Sequence, residues 1–357
     1  MINNQKVAII STGNGGQSMA AYFAYKGYDT ALYAREQERV DMFPSWDFTI
    51  SGEINANVHV NLISSSMKDV VENAHLIMVT TPSQYHSTVA REMAPFLERG
   101  QIIVLNPGRT FGTYEFDRVL QEQKVSDGII IAEAETFIFT CRCLEVGCPA
   151  IYKIKHHVGI AAHRDEDTEH VVNVMSRAFP SLYAAKSVLH TGFGNIGMIF
   201  HPVPILMNIT RVEAKEHFKY YHNAISPFVA QVLERLDKER RSIADAVIGE
   251  SFSVNEWLKD KYDAEGDTLY ECLQNAKAYS EVYAPSDIYS RYVFEDIPTG
   301  FVPMYCMGRH LGIEMPVTEA VIKWASVLYD YDFMGRGRNE KKLNLDEIIE
   351  QGKKYKK

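Results

Sequence analysis

The run Gly13-Asn14-Gly15-Gly16 constrains this chain more than any other feature, because of what flanks it. Residues 7–12 form a short apolar, β-branched segment. Residues 18–25 carry alanines and aromatics at helical spacing and stop at Gly27. A strand, a glycine turn and a helix in that order leave a helix N-terminus whose unpaired N–H groups and dipole attract phosphate. In this reading Gly13 makes the turn and Gly15 lets a ligand approach the backbone, while Ser18 stands where a third glycine would keep helix and strand close. A glycine cluster alone also fits a plain strand–helix turn. Its place between these two elements is what points to a bound dinucleotide.

The alternation continues. Residues 30–34, 76–81, 101–106 and 128–134 read as buried strands, with helical segments at 85–98 and 114–123. Strands alternating with helices predict an α/β fold, an N-terminal Rossmann-type doubly wound parallel sheet covered on both faces. Residues 150–162 read as a meander before a helix at 167–178. Beyond Ser187 strand signals fade. Ser226-Pro227 has the form of an N-cap followed by proline at the first helical position, and Val229, Val232, Leu233, Leu236, Ile243 and Val247 follow at helical spacing. Ser253 with Glu256 and Thr268 with Glu271 have capping-box spacing, and another helix follows Pro316. The expected division is a dinucleotide-binding domain at 1–187 and an all-helical substrate or catalytic domain at 188–357.

Charge narrows the partners. Acidic side chains outnumber basic ones 46 to 37, a formal net charge of −9, which argues against nucleic-acid binding. The basic stretches 336–342 and 353–357 read as solvated tail. No apolar run approaches the ~18 residues a transmembrane helix needs, and residues 1–6 lack the form of a secretory signal. Five cysteines, an odd number in a long chain, read as reduced thiols, so the expected place is the cytoplasm and the expected partners are small molecules.

The kind of dinucleotide is written about twenty residues after the turn, where an Asp or Glu would bind the ribose hydroxyls of NAD. Here the position is Ala34, followed by Arg35 and, one turn later, Arg39. Without a carboxylate a 2′-phosphate meets no repulsion, and a guanidinium can bind it, so NADPH is expected over NADH. Glu36 or Glu38 contacting the ribose is the alternative, with NAD as cofactor. Two loops after apolar strands, Thr80-Thr81-Pro82 and Asn106-Pro107-Gly108, should also border the cofactor, although either fits a simple turn.

Hydride transfer to a C=O or C=N carbon needs a proton carrier. Among 12 histidines, His201 stands out within the apolar, helix-interrupting segment that runs from Asn195 to Pro204. A hydrogen-bonded core histidine fits that segment too. Arg291, Glu295 and Asp296 lie beside a Pro298/Gly300 turn; Asp296 could orient His201, and Arg291 could clamp a carboxylate. A surface salt bridge closing a loop explains the same residues equally well. Cys141, Cys143 and Cys148, with His156 and His157, do not match zinc-site spacing, so no metal is expected.

At these residues the chain resembles the octopine/nopaline (opine) dehydrogenase family. The markers are Gly13-Asn14-Gly15-Gly16 running into Ala20-Ala21-Tyr22, then Leu105-Asn106-Pro107-Gly108 and Phe139-Thr140-Cys141-Arg142. They continue with Leu189-His190-Thr191, His201-Pro202, Tyr220-Tyr221, and Arg291-Tyr292 with Glu295-Asp296. The resemblance implies a Rossmann domain plus a helical domain, a homodimer, and reductive condensation of an amino acid with a 2-keto acid such as pyruvate. It implies that His201 and Asp296 form the catalytic dyad and that Arg291 binds a substrate carboxylate. Three positions depart from the family pattern: Ala34 replaces an acidic residue of NAD users, His222 to Pro227 lack the acidic residue often found after the paired tyrosines, and Gly197 replaces an asparagine.

Two other readings share the architecture. A hydroxyacid dehydrogenase of the glycerol-3-phosphate or ketopantoate type would use a helical-domain lysine, for which Lys186 and Lys215 lie near the right region. A non-catalytic NADPH-binding sensor would have no use for a His201–Asp296 pair.

Overall fold

A computed structural model describes residues 3–356, which divide into two compact units, the first ending at Gly192 and the second beginning at Phe193. The strands, all in the first unit, are β1 (Asn3–Ile10), β2 (Tyr28–Tyr33), β3 (Asp47–Gly52), β4 (Ala56–His59), β5 (Leu62–Ser64) and β6 (Ala74–Val79). They continue with β7 (Ile102–Leu105), β8 (Ile130–Ala134), β9 (Phe139–Glu145), β10 (Cys148–Ile154), β11 (Gly159–Ala162) and β12 (Tyr183–Ala184).

The main sheet has the order β12-β11-β8-β7-β6-β1-β2-β5. The inner stretches of its central strands are continuously apolar because both faces are covered, and successive side chains part company. Val7, Ile9, Leu76, Met78, Ile102 and Val104 enter one core, while Ala8, Ile10, Ile77, Val79, Ile103 and Leu105 enter the other. The first core is closed by Met19 to Phe23 of the helix Asn14–Tyr25 and by Val171 and Met175 of Thr168–Ser176. The second is closed by Val89 and Met93 of His86–Met93 and Phe116, Val119 and Leu120 of Gly112–Glu122. The strand order reverses beside β1, whose parallel neighbours are β2 and β6; in such a sheet the crevice beyond the carboxyl ends at this point is the ligand site.

The expected parallel sheet is present from β5 to β8, and beyond it β11 runs antiparallel to β8, with Ile160 opposite Ala134. The chain returns from β8 through the β9–β10 hairpin instead of a crossover helix, and that connection favours an antiparallel neighbour. One expectation needs correction: residues 150–162 are no meander, since β10 joins a second sheet of order β4-β3-β10-β9 and β11 joins the first.

The second unit is helical. Ser226 Oγ accepts the Val229 N–H at 3.3 Å, Pro227 occupies the first turn, and Gly249, at φ 76°, ends the helix Pro227–Ile248. That left-handed value suits glycine alone without strain. Both capping boxes form reciprocally, Ser253 with Glu256 and Thr268 with Glu271. Replacing Ser253 with alanine is expected to cost about 1 kcal/mol of stability by urea denaturation, because one N-terminal N–H loses its acceptor. Glu239 caps a third helix from a distance, accepting the Val317 and Thr318 N–H groups (2.8 and 2.9 Å) and the Thr318 hydroxyl (2.6 Å). The stretch 336–342 is not solvated tail: Arg338 is 1% exposed and its N–H donates to the Pro298 carbonyl. No helix among the described residues is long and apolar enough to cross a membrane.

Candidate active site

The glycine turn begins with an unusual backbone. Ser11, directly after β1, has φ 141°, and its Oγ accepts the Gly13 N–H at 3.1 Å. Gly13 itself is extended (φ −70°, ψ −177°), and a Cβ there would meet nothing closer than 3.5 Å. The steric demand falls on Gly16, whose Cβ would lie 1.7 Å from the Ser11 carbonyl oxygen; Gly15 follows, at 2.7 Å from Phe137. The sequence reading gave the turn requirement to Gly13, whereas the structure puts the crowding on Gly16 and the backbone strain on Ser11.

Side chains of the turn then lock it to the second sheet. Asn14 Oδ1 accepts the Cys143 N–H at 2.9 Å, and Gln17 reaches both ways, donating to the Thr12 carbonyl and accepting the Gly147 N–H, each at 2.8 Å. Thr12, Gly13, Asn14, Gln17, Arg39 and the 143–146 turn line a cleft here. Cys141 and Cys143 point their sulfurs at the Asn14 carbonyl (3.7 and 4.0 Å). Burial and the neighbouring Cys141 and Cys148 push the Cys143 thiol up to about 12, so at neutral pH it packs as a thiol. Sequence reasoning had no signal for Gln17 or the 143–146 turn, since their partners are some 130 residues apart.

Among the residues expected at the adenosine end, Ala34 is buried and donates its N–H to the Ser64 carbonyl. Arg35, Glu36, Glu38 and Arg39 are all exposed; of these, Arg39 lines the cleft. Beyond the neighbouring strands, the Thr80 and Thr81 hydroxyls both donate to the Ile10 carbonyl (3.3 and 2.8 Å), tying that loop to the end of β1, and Pro82 leads into the 3-10 turn Ser83–Tyr85. Asn106 is 1% exposed, and neither polar atom of its side-chain amide has a partner among the described residues. Such a buried amide is costly unless a ligand or water satisfies it. Gly108 packs on the buried carboxylate of Glu133: a Cβ would lie 2.1 Å from Glu133 Oε2.

In the helical unit, Pro202 prevents a continuous helix, and His201 sits at the junction of Gly197–Phe200 with Pro202–Met207. From 95 residues away, Asp296 brings Oδ2 to 2.7 Å from His201 Nδ1, with side-chain exposures of 13% for the histidine and 1% for the aspartate. Tyr292 lies on the imidazole, ring centroids 4.1 Å apart and planes at 6°. The Tyr220 hydroxyl is shared between the carbonyls of Phe200 (3.0 Å) and His201 (2.5 Å). Burial raises the Tyr220 and Tyr221 phenols well above their ordinary pKa, so both stay protonated. Asp296 leads into a π-helical turn, Ile297–Phe301, of the kind often found at functional positions. Arg291 meets Glu295 rather than the histidine, at 3.7 Å, and its side chain is 60% exposed. The Asp296 contact occupies Nδ1, so Nε2 is the ring nitrogen that can exchange a proton with a ligand.

The cysteines and His156 and His157 do not assemble a site; among the described residues no three His, Cys, Asp or Glu side chains converge as metal ligands would.

Residues 184–329 match the NAD/NADP octopine/nopaline dehydrogenase α-helical domain, and residues 6–108 match the N-terminus of NAD-dependent glycerol-3-phosphate dehydrogenase. The opine dehydrogenase of Arthrobacter sp. (strain 1C) is 32% identical over 354 residues, 99% of this chain and 98% of that protein. The chain belongs to the opine dehydrogenase family. Members are NAD(P)-dependent oxidoreductases acting on CH–NH donors, and this chain is one of them. The fold agrees with that of octopine dehydrogenase solved with NADH and L-arginine (TM-score 0.82, 18% identity, 97% of this chain and 98% of that one). It agrees also with yersinopine dehydrogenase bound to NADP+ (TM-score 0.76, 14% identity, 99% of each chain). An opine dehydrogenase uses a nicotinamide dinucleotide, and the residues present fit one: a glycine turn at a helix N-terminus beside β1, and the unsatisfied Asn106 amide beyond β7.

Proposed function

We propose that this opine dehydrogenase joins an amino acid to a 2-keto acid of pyruvate type, using NADPH in preference to NADH, and that it also runs the reverse oxidation. The 2.7 Å contact of His201 with the buried carboxylate of Asp296 carries this reading. Residues 1–187 hold the dinucleotide and residues 188–357 act on the substrates. Gly13, Asn14, Gly15 and Gly16 receive the pyrophosphate, Thr81, Pro82, Asn106 and Gly108 border the nicotinamide half, and Arg35 and Arg39, beside the carboxylate-free Ala34, receive the 2′-phosphate.

When bound, NADPH supplies the hydride that reduces the C=N carbon. His201 Nε2 gives a proton to the departing hydroxyl as amine and keto acid lose water, and Asp296 holds the imidazole in the tautomer that permits this. Arg291, whose side chain is 60% exposed, binds a substrate carboxylate. The test is NADPH oxidation with pyruvate and a panel of amino acids. Oxidation that requires the amine supports the reading; oxidation without amine favours a hydroxyacid dehydrogenase.

Cofactor choice has its own test. Arg39→Ala is expected to raise the Kd for NADPH about tenfold and to leave that for NADH within about twofold, measured by fluorescence titration. Tighter binding of NADH than NADPH by the unmodified protein would overturn the preference.

Free thiols at all five cysteines support a reducing, cytoplasmic location. Trp324, Val327 and Leu328 are exposed by 42%, 83% and 41% on one helix face, which supports a homodimer. Sedimentation equilibrium tests it.

A further inference from the structure

Tyr292 and Asp296 stand four residues apart on a helical turn, the spacing that puts two side chains on one face. Both reach the same imidazole in complementary ways. Asp296 meets its edge, 2.7 Å from Nδ1, and the Tyr292 ring covers its face at 4.1 Å and 6°. A single hydrogen bond at Nδ1 sets where that edge points but lets the ring rock about the bond axis. A parallel plate on the face blocks the rocking. Tyr220 holds the backbone from the third side through the His201 carbonyl at 2.5 Å, and its ring is 5.1 Å from that of Tyr292.

We propose that Tyr292 is a positioning residue for His201, and that its ring face, not its hydroxyl, fixes the plane of the imidazole and so the direction in which Nε2 delivers its proton. The proposal rests on His201 being the proton carrier. Arg291 stands at the same ring, its Cζ 5.8 Å from the centroid. The plate therefore joins the proton carrier to the guanidinium assigned to a substrate carboxylate.

The experiment compares Tyr292→Phe, which keeps the ring, with Tyr292→Leu, which removes it, in the full-length enzyme with NADPH, pyruvate and an amino acid substrate. Tyr292→Phe should keep kcat within about threefold, whereas Tyr292→Leu should lower kcat about 30-fold, since small misplacements of a catalytic group cost orders of magnitude. The Kd for NADPH should stay close to the unmodified value in both, and the loss in Tyr292→Leu should fall more on kcat than on KM. In protein labelled with ¹⁵N-histidine, the His201 ring resonances should shift in Tyr292→Leu and not in Tyr292→Phe. If Tyr292→Leu does not fold, Tyr292→Met carries the same comparison. Full kcat without the ring, or equal losses in the Phe and Leu variants, would overturn the proposal. His201→Ala separates the two levels: an active His201→Ala enzyme ends the assignment of the proton carrier, while an inactive one beside a fully active Tyr292→Leu enzyme ends only the role of the plate.

Discussion

Replacing His201 with alanine is expected to lower kcat about 10³-fold while leaving the Kd for NADPH within about twofold. A positioned general acid–base group contributes typically 10² to 10⁴ in rate. Here it is half-buried, held at its edge by Asp296 and covered on its face by Tyr292. The same change strips a charge-assisted partner from a carboxylate that is 1% exposed, so a lower melting temperature is expected alongside the lost turnover. Asp296→Asn separates the effects. It keeps the shape and a hydrogen-bonding group but no longer holds the proton on Nδ1 by charge, and kcat should fall about 10²-fold or more with little loss of stability. Steady-state kinetics with saturating amine and pyruvate, read beside a thermal melt, decide the matter. Turnover retained in His201→Ala would remove the assignment.

The second large effect lies at Gly16. An alanine Cβ would sit 1.7 Å from the Ser11 carbonyl oxygen, a backbone atom with no flexible end to swing away. Ser11 has no slack, since it already occupies φ 141° and its hydroxyl holds the Gly13 N–H. Gly16→Ala should therefore push the helix Asn14–Tyr25 away from β1, cost about 1–3 kcal/mol as overpacking does, and raise the Kd for NADPH more than about 100-fold by misdirecting the N–H groups of the turn. Gly13→Ala is the control. Its Cβ has 3.5 Å of clearance and an ordinary backbone, so the melting temperature should stay unchanged, and any loss of dinucleotide affinity reports the ligand's own need for space. Equal affinity in Gly16→Ala and the unmodified protein would mean that the turn does not carry the pyrophosphate.

How far these sites were legible depended on the range of the interaction. The central strands announced themselves because burial on both faces makes a strand apolar throughout, as in Ile102 to Leu105. Ser253 with Glu256 and Thr268 with Glu271 were legible because a capping box closes within four residues. β3 and β4 passed unread: they are short and half-exposed, and β3 finds its partner β10 about 100 residues later. Arg338 looked like part of a basic tail because charge alone does not reveal that its backbone closes onto Pro298. Tyr292 lay inside a stretch singled out for its charges, and an aromatic residue there gave no sign that its ring would cover a histidine 91 positions earlier.

What the amino-acid sequence determined by itself was the set of local instructions: a glycine turn between strand and helix, the absence of a carboxylate at Ala34, a proline that halts a helix after His201, and the two capping boxes. Each acts over a few residues, where sterics and hydrogen bonding leave little choice. Tertiary structure alone decided that Asp296 and Tyr292 converge on His201, that Ser11 takes the strain and Gly16 the crowding at the turn, and that Gln17 bolts the turn to a second sheet. These pairings join residues 5 to 130 positions apart. Over such separations the partner is chosen by the packing of whole elements, and no pattern along the chain encodes it.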